Sequence, residues 1–122
     1  MTYLNKEHEE RYKILIKKSM VRDEDVERRT LFYIIAGNLD DLYKQVDKIY
    51  DFQKQQLKCI AEDGQVDFSN IYTSTSSKSL LKLGIQLYNN GTDITVSATF
   101  RCLDTDNAQI ALNAIKMRYN IN

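Results

Sequence analysis

Residues 30–38 read TLFYIIAGN, in which six consecutive apolar residues are followed by a glycine and an asparagine. Asp23 is a suitable N-cap for a helix that runs through this stretch, and the Gly-Asn pair is typical chemistry for a helix end. A helix with this composition has no polar side, so its apolar residues must meet other apolar surface. The chain also carries 17 basic and 17 acidic residues, so it has little electrostatic self-repulsion. Together these features predict that the protein self-associates.

Four further helices are predicted on either side of this stretch, over 5–18, 40–50, 76–88 and 104–119. Apolar residues recur most clearly at helical spacing in 40–50. Residues 94–102 fit either a strand or a short helix, and we favour a short helix or turn. Asp63 and Gly64 indicate a turn between two short mixed segments. The sequence therefore predicts a mainly α single domain over 1–122, with about five helices around one core and a short β-hairpin near 55–71.

Several side chains are assigned to the interior or the surface from this pattern. The single histidine lies in a charged stretch of the first helix and is expected to be exposed. Neither cysteine belongs to a CxxC pair, so both are expected to be reduced and buried. Aromatic residues on apolar helix faces are expected in the core. The histidine is His8, and the cysteines are Cys59 and Cys102. The aromatic residues expected in the core are Tyr43, Tyr50, Tyr88 and Tyr119.

Composition and motifs restrict the function. Balanced charge gives no general attraction to DNA or RNA duplexes or to anionic membranes, and no apolar run approaches the length of a membrane span. The phosphate-binding motifs GxxxxGK[ST] and GxGxxG are absent, and one histidine cannot build a histidine metal site or a Ser-His-Asp triad. Acidic pairs lie near predicted helix starts, where they stabilise the helix. We therefore expect a binding module without catalytic residues, metal or cofactor, located in the cytoplasm.

The candidate ligand site centres on YTSTSSKS at 72–79, where six hydroxyl residues precede a helix. One hydroxyl is enough for a cap, so the others favour a polar cradle for an anion such as a phosphate. Arginines pair bidentately with phosphate, and tyrosine rings stack on bases. The alternative is that the run is a loop and a cap, and that the arginines only solvate or cap helices. The candidate residues are Tyr72, Ser74, Thr75, Ser77, Asn89, Asn90, Arg28, Arg101 and Arg118.

Three stretches resemble a known family. They are LFYIIAGNLDDLYKQVDKIYDF at 31–52, SSKSLLKLGIQLYNNG at 76–91 and LDTDNAQIALNAIKMRY at 103–119. Over close to its full length the chain is similar to small clostridial and bacillar phage proteins, the phage Thoeris anti-defence proteins of the first type. None of the three stretches is a catalytic signature.

The resemblance implies that the protein acts in the host bacterial cytoplasm as a sponge. It would bind, without cleaving, the cyclic ADP-ribose isomer made by a TIR-domain immune sensor. It also implies a homo-oligomer, and a separate site for cyclic oligonucleotides of a second immune pathway. Two alternatives stay open: a phage inhibitor that binds a host defence protein directly, and a small enzyme acting on the nucleotide.

Overall fold

The computed structural model describes residues 2–122, and most of them are helical. A single 3-10 turn, Tyr43–Gln45, leads into the third helix. Two strands, β1 (Tyr50–Asp51) and β2 (Gln56–Leu57), form an antiparallel pair. The predicted fold class, mainly α with a short hairpin, is confirmed. The helices are α1 (Lys6–Ser19), α2 (Val26–Gly37), α3 (Val46–Ile49), α4 (Thr75–Asn89), α5 (Val96–Cys102) and α6 (Thr105–Tyr119).

Helix α2 lies at the centre of the molecule. Residues 30–36 are all buried, because α1, α4 and α6 pack around this helix. Burying a large apolar side chain contributes about 1.5–3 kcal/mol, so this run supplies a major part of the core. The neighbours that it requires are helices of the same chain. The run therefore gives no support to self-association, which stays a prediction.

Close packing around α2 depends on small residues. A Cβ atom on Gly37 would lie 2.8 Å from Ile110 Cδ1 and 3.1 Å from His8 Cε1. A Cβ atom on Gly84 would lie 3.3 Å from Ile34 Cδ1. These two glycines let α1, α4 and α6 approach the central helix closely.

Local capping chemistry sets most helix boundaries. Asn5, Ser74, Thr95 and Asp104 each accept a hydrogen bond from the backbone amide three residues later. The predicted cap of α2, Asp23, is wrong. Asp25 caps this helix by accepting a hydrogen bond from the Arg28 amide, and Asp23 forms an ion pair with Arg29. Residues 96–102 form a short helix, as favoured.

The long helix predicted over 40–50 is wrong. Only Tyr43–Gln45 and Val46–Ile49 are helical, and Tyr50 is extended. The Oδ1 atom of Asn38 accepts hydrogen bonds from the Asp41 and Leu42 amides, which turns the chain sharply after α2. Leu42, Ile49 and Tyr50 are still buried and Tyr43 and Val46 half-buried, but a turn, a short helix and a strand present them in place of one helix.

The hairpin region is more complex than predicted. The turn at Asp63–Gly64 is confirmed, since Gly64 has φ +84° and Ile60 pairs with Val66 across it. The two-stranded sheet, however, spans 50–57, so its first strand precedes the predicted segment. No helix within 2–122 is long and apolar enough to cross a membrane.

Three side-chain assignments are wrong. Cys102 is exposed, because it ends the short α5 on its outer side, whereas Cys59 is buried as expected. Tyr119 is 58% exposed at the end of α6. His8 is fully buried, because it lies one helical turn before Tyr12 on the buried face of α1.

The buried imidazole of His8 has a partner for each ring nitrogen. Its Nε2 atom lies 2.9 Å from the Tyr33 carbonyl oxygen, and Nδ1 accepts from the Leu4 amide at 3.1 Å. The rings of Tyr3 and Tyr33 lie against it, with centroids 5.3 and 4.5 Å away. These bonds require a neutral ring that carries its proton on Nε2, because a carbonyl accepts and an amide donates.

We predict that the protein loses stability when the pH falls from about 7 to about 5. Burial, with a smaller contribution from the nearby Arg11 charge, lowers the pKa of His8. The unfolded chain therefore binds a proton at a pH where the folded protein does not, and unfolding becomes easier. Urea unfolding across this pH range should show the decline. In a His8→Gln variant the decline should be smaller, and an equal decline would contradict this origin.

Candidate functional site

Three serine hydroxyls of the 72–79 run hold helices together. Ser74 caps α4 by accepting from the Ser77 amide at 3.1 Å. The Ser77 hydroxyl accepts from Asn38 Nδ2 at 3.0 Å. The Ser76 hydroxyl accepts from Asn107 Nδ2 at 2.8 Å and from the Asp104 amide at 2.9 Å. The end of α2 and the starts of α4 and α6 therefore meet in one hydrogen-bonded junction.

Carboxylates surround this junction. A cleft of about 380 Å³ beside it is lined by Asp40, Asp41, Asp104 and Asp106, together with Ser74 and Ser77. Hydrogen bonds from Ser77 and Ser74 lower the pKa of Asp41, so its negative charge is stabilised. A phosphate would meet these charges at close range, which disfavours binding. We therefore do not place an anion site here.

Four of the other candidate residues lie at the opposite end of α4. Arg118 Nε donates to the Leu87 carbonyl at 2.8 Å and also pairs with Glu27. Arg28 pairs with Asp25 at 3.1 Å. Asn90 is the left-handed C-cap of α4, next to Asn89. Since 15 residues of helix span about 22 Å, these residues and the hydroxyl run do not share one pocket.

The remaining three candidates are exposed. Thr75 is the first residue of α4, and Arg101 lies on α5, where it donates to Ser97 at 3.4 Å. Tyr72 is 81% exposed, although hydrogen bonds hold its backbone. The Tyr72 amide donates to Gln45 Oε1 at 3.0 Å, and Gln45 Nε2 donates to the Tyr72 carbonyl at 2.7 Å. The Gln45 side chain therefore holds both backbone polar groups of Tyr72, whose side chain is exposed.

The Tyr72 ring forms one wall of an open cleft of about 390 Å³, which we call the lysine cleft. Its lining residues are Lys48, Lys58, Ser69, Asn70 and Tyr72, all neutral or basic. The Lys48 ammonium lies over the Tyr72 ring, 5.7 Å from its centroid. Neither lysine forms an ion pair with a carboxylate in the described part of the chain. The cleft combines two available cations, an aromatic face and polar edges.

Two neighbouring depressions extend this surface. One shares Lys58 with the lysine cleft, has a volume of about 570 Å³, and is also lined by Lys54, Tyr88 and Asp51. The other shares Ser69, has a volume of about 460 Å³, and lies along α4 beside Lys78 and Lys82. Pockets for small molecules span about 300–1,000 Å³, so each depression has a suitable size. The lysine cleft, which shares a lining residue with each of them, is our candidate site.

Comparison with known proteins identifies the family. Residues 1–122 match the model of a family of unknown function, DUF6075. The chain belongs to DUF6075. No curated protein and no solved structure matches it. The family description gives no activity, so the function of this DUF6075 member must be argued from its site.

His8 and Cys59, two residues whose side chains could supply acid–base or nucleophilic chemistry, are both buried. Both ring nitrogens of His8 are bound inside the core. Burial raises the pKa of Cys59 to about 11, which keeps its thiol protonated and unreactive. Residues 2–122 contain no group of three or more metal-ligand side chains.

Sequence reasoning had included Tyr72 but missed the other residues that line the cleft. Lys48 and Lys58 belong to a series of lysines at positions 44, 48, 54 and 58, and this series was the available signal. Nothing in the sequence showed that Ser69 and Asn70 would lie beside them, because irregular chain between β2 and α4 brings them there.

We predict that Arg118 is structural and Arg101 is not. Arg118→Ala should lower the free energy of unfolding by about 1.5–3 kcal/mol, because a hydrogen bond from a charged donor to the end of α4 is lost. Arg101→Ala should change it by about 0.5 kcal/mol or less, as for most exposed positions. Urea unfolding of both variants tests this pair, and equal losses would contradict the assignment.

We also predict that Gln45 restrains the Tyr72 side chain. The chain has no tryptophan, so Tyr72→Trp introduces a single tryptophan whose fluorescence can be excited selectively. Adding Gln45→Ala to that variant should lower the fluorescence anisotropy, because the backbone of residue 72 loses two hydrogen bonds. Gln53→Ala, at an exposed glutamine in the turn between β1 and β2, is the matched control. Unchanged anisotropy with Gln45→Ala would show that other contacts hold the segment.

Proposed function

We propose that this protein binds and sequesters a cyclic ADP-ribose isomer, the signal made by a TIR-domain defence protein. The observation that carries the proposal is the lysine cleft, with Lys48 and Lys58 beside the exposed Tyr72 ring. Such a ligand carries a pyrophosphate, an adenine and two riboses. It therefore needs cations, an aromatic surface and polar hydroxyl partners, and the cleft supplies all three.

Each group in the cleft has a distinct role in this proposal. The Lys58 ammonium pairs with the pyrophosphate, and such charge-assisted bonds contribute about 1.5–3 kcal/mol. The Tyr72 ring stacks on the adenine, which contributes about 1–3 kcal/mol. Ser69 and Asn70 offer donors and acceptors to the ribose hydroxyls. The acidic cleft at the other side of the Gln45 turn disfavours the same ligand, so binding is directed to the lysine side.

Sequestration requires affinity and slow release, without groups that stabilise a transition state. The engaged imidazole of His8 and the protonated, buried thiol of Cys59 support a role in binding over one in hydrolysis. The resemblance to Thoeris anti-defence proteins supports the same reading and adds three predictions. These are a homo-oligomer, a separate site for cyclic oligonucleotides, and action in the host cytoplasm.

Heat release separates this proposal from its alternatives. The full-length protein is incubated with the products of a TIR-domain enzyme acting on NAD, then recovered by gel filtration and heated. A sponge returns the intact cyclic isomer, as identified by mass spectrometry. Recovery of a cleaved product would indicate an enzyme. Absence of nucleotide from the recovered protein would contradict the proposal and favour a direct protein inhibitor.

Single substitutions then locate the site. Tyr72→Ala and Lys58→Ala should each weaken binding of the isomer about tenfold or more, because each removes at least about 1.4 kcal/mol of interaction. Tyr119→Ala is a matched control, since Tyr119 is another exposed tyrosine with a cation, Arg118, over its ring. Isothermal titration should show control and parent binding equally. Parent-like affinity in both cleft variants would move the site elsewhere.

A further inference from the structure

We infer that Lys48 determines which ligands the lysine cleft accepts, by lying over one face of the Tyr72 ring in the free protein and moving to a phosphate when ligand binds. This inference rests on the proposed function and deepens it. It predicts that the cleft selects base-bearing ligands that carry phosphate over uncharged nucleosides with the same base.

The geometry places the cation where a base would stack. Lys48 Nζ lies 5.7 Å from the centroid of the Tyr72 ring, within the distance of about 6 Å at which a cation is attracted to an aromatic face. Tyr72 as a whole is 81% exposed with Lys48 in place, so the ammonium lies over one face and most of the residue is open to solvent. A base that stacks on the face beneath Lys48 must first displace the ammonium.

The backbones of the two residues belong to one rigid frame. Gln45, three residues before Lys48, holds the Tyr72 amide and carbonyl. Ile49, the next residue after Lys48, is fully buried, and its carbonyl accepts from the Lys58 amide at 2.8 Å. The Lys48 side chain itself is exposed, and a lysine ammonium is carried on a four-carbon stem with several rotatable bonds. Motion of this side chain can therefore uncover the ring without movement of the backbone.

No carboxylate in the described chain holds the Lys48 ammonium in place. The adjacent Asp47 pairs with Lys18 at 3.5 Å, on α1. The other cation in the cleft, Lys58, repels Lys48 and does not fix it. The contact with the Tyr72 ring is thus the interaction that a ligand has to break.

The balance of the exchange depends on ligand charge. An exposed cation–π contact is weaker than a charge-assisted hydrogen bond to phosphate. A ligand with a pyrophosphate gives the displaced ammonium a better partner, so Lys48 favours its binding. An uncharged nucleoside gives it none, so Lys48 opposes stacking. One side chain therefore has effects of opposite sign on the two classes.

Titration of full-length protein with ADP-ribose and with adenosine tests this inference. Lys48→Ala should weaken ADP-ribose binding about tenfold, because the ammonium that pairs with phosphate is removed. It should strengthen adenosine binding about twofold, because the ammonium no longer lies over the Tyr72 ring. Lys48→Met, which keeps an apolar stem without the charge, should weaken ADP-ribose binding similarly. Lys13→Ala, at an exposed lysine of α1, is the control and should match the parent for both ligands. Circular dichroism checks that each variant is folded.

The outcomes separate this inference from the proposed function. Opposite changes for the two ligands in Lys48→Ala support it. If the parent binds ADP-ribose and Lys48→Ala behaves like Lys13→Ala, or weakens both ligands equally, the inference is overturned and the proposed function stands. If the parent binds neither ADP-ribose nor the cyclic isomer, the proposed function fails and this inference fails with it.

Discussion

The complete burial of α2 is the constraint on which the rest of the structure depends. Seven consecutive residues, 30–36, have no access to solvent, so helices must cover every side of this one. The three longest other helices, α1, α4 and α6, supply that cover in a chain of only 122 residues. Polar groups at the ends of α2 must then be satisfied by neighbouring helix ends. The core and the junction at Asn38 are two results of the same requirement.

The junction at Asn38 explains why the hydroxyl-rich run is not the most suitable place for an anion. Its serines bond to Asn38, Asn107 and Asp104, and carboxylates that serve the helix starts lie around them. The same turn that carries Asp41 also carries Gln45, which fixes Tyr72 on the other side. The chain thus separates a negative helix junction from a positive cleft within a few residues. This separation gives the molecule one face suited to anions and one that repels them.

Much of the fold was predictable because its signals are local. Asn5, Asp104 and the Asn89–Asn90 pair mark helix ends through bonds to residues three or four positions away, and the prediction placed them well. The errors concern bonds to distant residues. His8 can be buried because the Tyr33 carbonyl, 25 residues away, accepts a hydrogen bond from its Nε2–H group. The helix expected over 40–50 is broken because Asn38 and Gln45 side chains bond to turns and to Tyr72. The lysine cleft joins residues from 48 to 72 through irregular chain, whose path no periodic pattern records.

Asn38 uses its whole side-chain amide. Its Nδ2 atom donates to Ser77 and Asn107, and its Oδ1 atom accepts from the Asp41 and Leu42 amides. No other residue type offers two donors and two acceptors at this reach, since aspartate lacks the donors and glutamine is one methylene longer. Hydrolysis of this amide to a carboxylate is a very small change in shape. It would remove both donated hydrogen bonds and place a negative charge next to Asp41. Spontaneous deamidation of Asn38 alone would thus weaken the contacts among α2, α4 and α6.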